Sequence, residues 1–398
     1  MLDYMHMGRT PAKHHITFRR DDGALYQEHC FTRKGFDEVY SILYHVHPPT
    51  MEQEVVTSTR FAPEPGPVED LQPHLHTLKR RHYRTGAVAD ATGESLLHAR
   101  RLLMVNDDCG LSVARPTAGG DYFFANNDGD DLYFVYEGSG VVETPFGLLR
   151  FEKDDYVWIP RSCLSRWRFD TQDNFLFITE ARGGLEIPQN FRNPGGQLKL
   201  DAPYSHRDFT RPHALAWDGS SPLEDRVTVV TKKMGHYVEH EMSHSPLDVV
   251  GWDGYVYPIA FNARKYQAKA GLVHLPPPIH TTFLARGFVV CTFVPRMVDF
   301  HPEAIPCPYA HSSVDCDEIL FYVSGDFTSR RGVDETSITL HPAGLPHGPH
   351  PGAYAASVGT RETHELAVMV DTFKPLFPTR HAVDVEDADY HKSWLLDG

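Results

Sequence analysis

The sequence predicts a mainly β fold with few short helices, and three observations carry that prediction. Strand-type runs recur along the chain, turn-forming residues are abundant, and helical periodicity is scarce. Residues 132–151 (LYFVYEGSGVVETPFGLLRF) join aromatic and β-branched runs through Gly and Pro, and YVWIP (156–160) and FLFITEA (175–181) follow closely. The same texture returns at FVVCTFVPR (288–296), EILFYVSGDF (318–327), SITLHPAG (337–344) and HELAVMVDTF (364–373). The 30 Gly and 30 Pro suit a chain full of turns. The best helical stretch, LLHARRLLM (96–104), is short.

The two strand clusters align as repeats. With Asp131 against Glu318, Gly138 falls opposite Gly325; with Pro160 against Pro342, Ser162 meets Gly344 and Ser165 meets His347. Phe124 stands where the second copy has His311. The first copy, about 122–182, therefore keeps turns and strands without the histidines and is expected to be free of metal. We expect an N-terminal β domain over residues 1–255 containing that copy. Residues 256–398 are then a C-terminal domain with the metal site and a polar, acidic tail anchored near Tyr390 and Trp394. Residues 1–110 read as an irregular layer, and VTVVTKKMGHYVEHEMS (227–243) as a hairpin.

Composition limits the function classes. At 398 residues and 41% hydrophobic content, the chain can bury a sizeable core. A formal net charge of −15 argues against general nucleic-acid binding, which needs a basic field. No apolar run is long enough for a membrane-spanning helix, and MLDYMHMGRTPAKHH has no apolar leader segment. Six scattered cysteines without a C-x-x-C pair read as reduced thiols, and the expected location is cytoplasmic.

The chemistry concentrates in the second copy. His311, Glu318 and His347 offer two imidazoles and one carboxylate, the facial donor set that holds non-haem Fe(II) and leaves positions open for substrate and O2. The order Glu318-x6-Gly325 followed by Pro342-x-Gly344-x2-His347 resembles the paired motifs of the cupin barrel. It implies a bicupin, two jelly-roll-like double-stranded β-helix barrels. His274 and His280, which bracket LPPP, and His341 are candidate pocket groups around that set. Cys316 is expected to pack beside the site rather than join it.

Three other histidine strings are weaker. His45-Val46-His47 with Glu52 has cupin ligand spacing, but Pro48 and Pro49 interrupt the strand and Thr59 stands where Gly is needed. His236, Glu239 and His240 match an inverted zinc-protease string that requires a helix, whereas these residues read as strand. His74 and His76 lack a carboxylate at suitable spacing. No metal is expected at any of them.

LYHVHPPT, DVVGWDGYVYPIAFN, HLPPPIHTTF, GFVVCTFVPR, the PYAH-to-DE segment, LHPAGLPHGPHPG and LAVMVDTF together resemble homogentisate 1,2-dioxygenases of the shorter bacterial form. That resemblance covers most of the chain. It implies a β-rich bicupin and a homo-oligomer, trimer or hexamer. It also implies Fe(II)- and O2-dependent opening of the homogentisate ring to maleylacetoacetate, in tyrosine and phenylalanine breakdown. Carried over by residue, it implies that His311, Glu318 and His347 bind iron. His274, with His280 as a rival, corresponds to the proton acceptor for the substrate hydroxyl, and His341 lines the pocket. Phe327 stands where the family usually has a tyrosine near the substrate. The interval from His311 to Glu318 is one residue longer than in animal-type enzymes, which a β-bulge would absorb. The alternatives are a dioxygenase for gentisate or a hydroquinone, and a non-catalytic bicupin that binds a small ligand.

Overall fold

Two large sheets carry the two copies in the computed structural model, which describes residues 2–66, 77–89, 91–325, 327 and 332–395. The first sheet runs Phe209–Thr210, Ile259–Asn262, Asp155–Ile159, Asp130–Glu137, Phe175–Ala181, Cys109–Pro116, Arg101–Val105, Phe377–Pro378. The second runs Leu185–Glu186, Thr281–Ala285, Phe288–Phe293, Leu366–Thr372, Asp317–Ser324, Ile338–His341, Arg81–Tyr83. Each takes in strands from both sides of residue 256. The His74 and His76 pair lies outside the described residues.

The repeat holds at the level of register. Asp131 pairs with Ile159 on one side and Glu180 on the other, and Glu318 pairs with His341 and Asp371 in the same way. Phe124 and Ser165 form an isolated bridge, as do His311 and His347, each closed by two reciprocal backbone hydrogen bonds of 2.8–2.9 Å. Gly138 (φ 120°) and Gly325 (φ 106°) share a left-handed turn position. A Cβ there would come within 2.4 Å of Asn174 or 2.5 Å of the His364 carbonyl, so only glycine fits. Ser162 and Gly344 likewise share positive φ (63° and 78°). These paired elements make a mainly β, cupin-type architecture.

Strand alternation sets what each sheet face meets. Ile319, Phe321 and Val323 face the main core, where Phe321 stacks on Phe177 of the first copy at 4.7 Å and 6°. Leu320 and Tyr322 point the other way and, with Cys291 and Met369, line the interior of the second barrel. Glu318 lies on that inner face, two residues before Leu320. The sheet that fastens the two copies together therefore presents the candidate ligand from its opposite side.

Two sequence expectations need correction. LLHARRLLM is a helix only over Leu96–Ala99; Arg100 turns extended and Arg101–Val105 joins the first sheet. The N-terminal hundred residues are more ordered than an irregular layer: Met5–Gly8, Val249–Gly254, Tyr40–His45 and Gln27–Thr32 make an antiparallel sheet. Its key strand comes from some 200 residues away, a partnership that local sequence cannot reveal. The hairpin expected over 227–243 forms, with Val227–Lys233 antiparallel to His236–Met242. In the tail, Trp394 stacks on His350 at 4.0 Å and Tyr390 is buried.

Candidate metal centre

His311, Glu318 and His347 come together inside the second barrel, with one donor atom from each inside a mutual distance of 4.8 Å. Glu318 projects from the strand Asp317–Ser324, and the bridge between His311 and His347 sets the two imidazoles beside it. Glu318 Oε2 lies 3.4 Å from His347 Nε2 and 3.6 Å from His311 Nε2. The loop before Asp317 accommodates the longer His311–Glu318 interval, so no bulge is needed there.

Tautomers follow from the neighbours. His311 Nδ1 is 3.1 Å from the Tyr309 carbonyl, and His347 Nδ1 is 3.0 Å from the Leu345 carbonyl. A carbonyl only accepts, so each Nδ1 carries a proton, and Nε2 is the atom that each ring turns toward Glu318. His347 Nε2 is buried with no hydrogen-bond partner. Two imidazole Nε2 atoms and one carboxylate thus converge, and a divalent cation fits that donor set.

Other groups orient the set. His341 is fully buried, donates from Nδ1 to Glu318 Oε1 at 2.7 Å, and stacks on His347 at 4.4 Å. Burial pushes the Glu318 carboxyl up, but the hydrogen bond from His341 and the close imidazoles of His311 and His347 outweigh it and hold the group well below the usual range. Cys316 lies half-buried, its thiol 3.6 Å from Asp315 and pushed up to about 11, first by burial and then by Asp315; it is a poor thiolate donor.

The two proton-acceptor candidates have different surroundings. His274 is exposed, and its Nε2 lies 3.2 Å from the Tyr309 hydroxyl, whose ring stands edge-on to His311 at 6.3 Å. His280 is buried against Phe293 at 4.4 Å, and burial followed by Arg296 pushes its pKa down to about 3. Phe327 packs edge-on against Tyr322 at 4.7 Å, next to the apolar cluster of the barrel interior.

Sequence reasoning missed Tyr309 and Asp371. Asp371 is the cross-strand neighbour of Glu318, and its Oδ1 is buried without a partner. The available signal was a lone carboxylate closing the apolar run LAVMVD. Its pKa is pushed up to about 7, first by burial and then by the Glu318 charge, with His311 pulling it down. An acid with a folded pKa above its unfolded value costs stability as pH rises between the two. The metal-free chain is therefore expected to lose stability from about pH 4 to about pH 7, and Asp371→Asn to flatten that slope. Urea midpoints at pH 5 and pH 7 measure it; equal slopes in both proteins would count against the assignment.

In the first copy the corresponding carboxylates are met by cations of the chain itself. Arg100 lies 3.2 Å from Asp131 and 3.4 Å from Glu180, which occupy the register positions of Glu318 and Asp371. Lys232 pairs with Glu180, Asn126 donates to both carboxylates, and Tyr133 donates to Asp131. Of the weaker histidine strings, His236 and His240 lie on a strand, as expected, and His240 Nε2 is 2.9 Å from the Thr231 hydroxyl.

Comparison with known proteins agrees with this geometry. Residues 30–263, over half of the chain, match the family profile described as homogentisate 1,2-dioxygenase N-terminal. A “putative dioxygenase” of Saccharolobus solfataricus is 35% identical, over 99% of both chains. Homogentisate 1,2-dioxygenase of Rhizobium etli is 27% identical over 69% of this chain, and the match spans 62% of that protein. The corresponding enzyme of Nitrobacter hamburgensis is 27% identical over 69% of this chain and 63% of its own length. Among solved structures, a cupin 2 conserved barrel domain protein from Leptotrichia buccalis aligns over 69% of this chain and 87% of its own, at 10% identity and a TM-score of 0.33. A point mutant of the oxalate decarboxylase of Bacillus subtilis aligns over 76% and 80%, at 9% identity and a TM-score of 0.36. The cupin-type architecture stands on the matched strand register of Asp131 and Glu318. The profile match and the near full-length relative establish that the chain belongs to the cupin-type homogentisate 1,2-dioxygenase family.

Proposed function

We propose that the chain is an Fe(II)- and O2-dependent dioxygenase that opens the ring of homogentisate to maleylacetoacetate in tyrosine and phenylalanine breakdown. The observation that carries this reading is the convergence of one donor atom each from His311, Glu318 and His347 within 4.8 Å, that of His347 buried without a hydrogen-bond partner. Bound there, Fe(II) would lower the pKa of a diol hydroxyl and provide an electron path from the diol to O2. Both oxygen atoms enter the product, so no external reductant is required. His341 fixes the Glu318 carboxylate in place. His274 Nε2 takes the substrate hydroxyl proton, with the Tyr309 hydroxyl beside it as the bridge toward His311. His280, held neutral with a pKa of about 3, is too weak a base for that role and shapes the pocket wall with Phe293.

Phe327 supports a second reading within the same chemistry. Its apolar ring packs beside Tyr322 and offers no hydrogen bond to a substrate arm, which favours a diol such as gentisate or a hydroquinone. The proposal also includes homo-oligomeric assembly as a trimer or hexamer and a cytoplasmic location. The exposed Val55 and Val56 on the edge strand Glu52–Thr57, and six free thiols, are consistent with these two features. Among the described residues no helix is long and apolar enough to cross a membrane.

Anaerobic reconstitution with Fe(II), followed by homogentisate and air, is expected to give O2 uptake and a ring-opened absorbing product. Turnover of gentisate alone would shift the substrate assignment, and uptake with neither would defeat the reading. His274→Ala is expected to lower kcat by roughly 10²- to 10⁴-fold with iron content unchanged. A variant with normal kcat would remove His274 from the proton path.

A further inference from the structure

A second histidine–carboxylate cluster lies away from the second barrel. The loop after Tyr40–His45 there meets the loop between His236–Met242 and Val249–Gly254. His47 from the first loop, with His244 and Asp248 from the second, place one donor atom each within 4.8 Å of one another. Asp248 is fully buried. Its Oδ2 accepts the His47 backbone N–H at 2.7 Å and lies 3.0 Å from His47 Nδ1. The rings of His47 and His244 stand 4.5 Å apart. Glu52, the carboxylate expected from the sequence spacing, is not in this group; its nearest imidazole is that of His240, at 3.6 Å.

His45 braces Asp248 from the side away from His47 and His244. His45, 3% exposed, approaches Asp248 Oδ1 through Nδ1 at 2.7 Å, and its Nε2 is buried with no partner. An ionised carboxylate only accepts, so Nδ1 holds the proton and the Nε2 lone pair remains bare. His45 and His244 both line a cavity of about 220 Å³ whose wall also includes His29 and His240.

We propose that His47, His244 and Asp248 form a second divalent-metal site, for a borderline transition ion such as Zn²⁺, with His45 as a positioning residue that holds Asp248. Two neutral nitrogens and one carboxylate suit such an ion, and an imidazole bonded to the ligating carboxylate from behind is a recurrent supporting arrangement. The ion ties two loops some 200 residues apart in sequence and so staples the N-terminal sheet to the hairpin 227–243. Its role is structural, separate from the chemistry proposed for the second barrel.

The test uses the full chain, stripped with chelator, incubated with Zn²⁺ alone and desalted before zinc is counted by mass spectrometry. The His347→Ala chain, with the second-barrel site disabled, is expected to retain one equivalent, and His347→Ala/His244→Ala none. Zinc is also expected to raise the unfolding midpoint of His347→Ala, and the added His244→Ala substitution to abolish that rise. A His347→Ala chain that keeps no zinc overturns the proposal without a second variant. So does a double variant, with far-UV dichroism matching wild type, that still keeps one equivalent.

Discussion

His347→Ala and Glu318→Gln are expected to empty the second-barrel centre and abolish dioxygenase turnover. His347 contributes a buried Nε2 with no hydrogen-bond partner, so its removal deletes one of the three converging donors. Glu318→Gln preserves shape but removes the only charge among the three converging donors, and it leaves His341 facing an amide. If three ligands share the roughly 10–16 kcal/mol typical of a structural zinc site, each is worth about 3 kcal/mol or more, on the order of a hundredfold or greater in affinity. Fe(II) lies below Zn²⁺ in the binding order, so the loss leaves little iron after desalting. Iron content and O2 uptake measured side by side check this. Stoichiometric iron in both variants would sink the ligand assignment. Ser165→Ala, at the matching position of the first copy, is expected to change neither quantity.

That contrast explains how much was legible in the sequence. The repeat could be read because its markers are positions where backbone geometry restricts the residue. Gly138 and Gly325 need a left-handed turn with no room for a Cβ, and Pro160 and Pro342 close equivalent strands. His311, Glu318 and His347 flank those markers, so their convergence followed from local spacing. Groups brought in by distant segments left no such trace. Asp371 reaches Glu318 only through pairing of strands 50 residues apart, and Arg81–Tyr83 joins Ile338–His341 across more than 250 residues. The cluster at His47 shows the same limit: the motif suggested Glu52 as partner, and the fold supplied His244 and Asp248. Helix propensity failed at residue 100 because Arg100 is needed beside Asp131, and that burial overrides the local preference for continuing the helix.

Arg100→Met is expected to destabilise the chain by roughly 3–5 kcal/mol, because it strips a buried cation from two buried carboxylates. For a protein of this size that corresponds to a fall of roughly 4–6 °C in Tm. Against the upward push of burial, Lys232 and then Arg100 hold the Glu180 carboxyl below the usual range. With Arg100 gone, Glu180 loses one of the two cations that hold its carboxyl down, so its pKa rises toward the unfolded value, and the penalty is largest at neutral pH and shrinks as pH falls. Thermal melts at pH 7 and pH 5 read both effects. Arg100→Met/Asp131→Leu is expected to recover part of the loss, since an apolar pair of similar volume replaces a buried ion pair at little net cost. An Arg100→Met protein that melts with wild type at both pH values would break the argument that an internal cation takes the place of a metal in the first copy. Its iron content is expected to stay at the wild-type level in either case, because Arg100 meets the first sheet's carboxylates and the second-barrel donors lie on the far face of the other sheet.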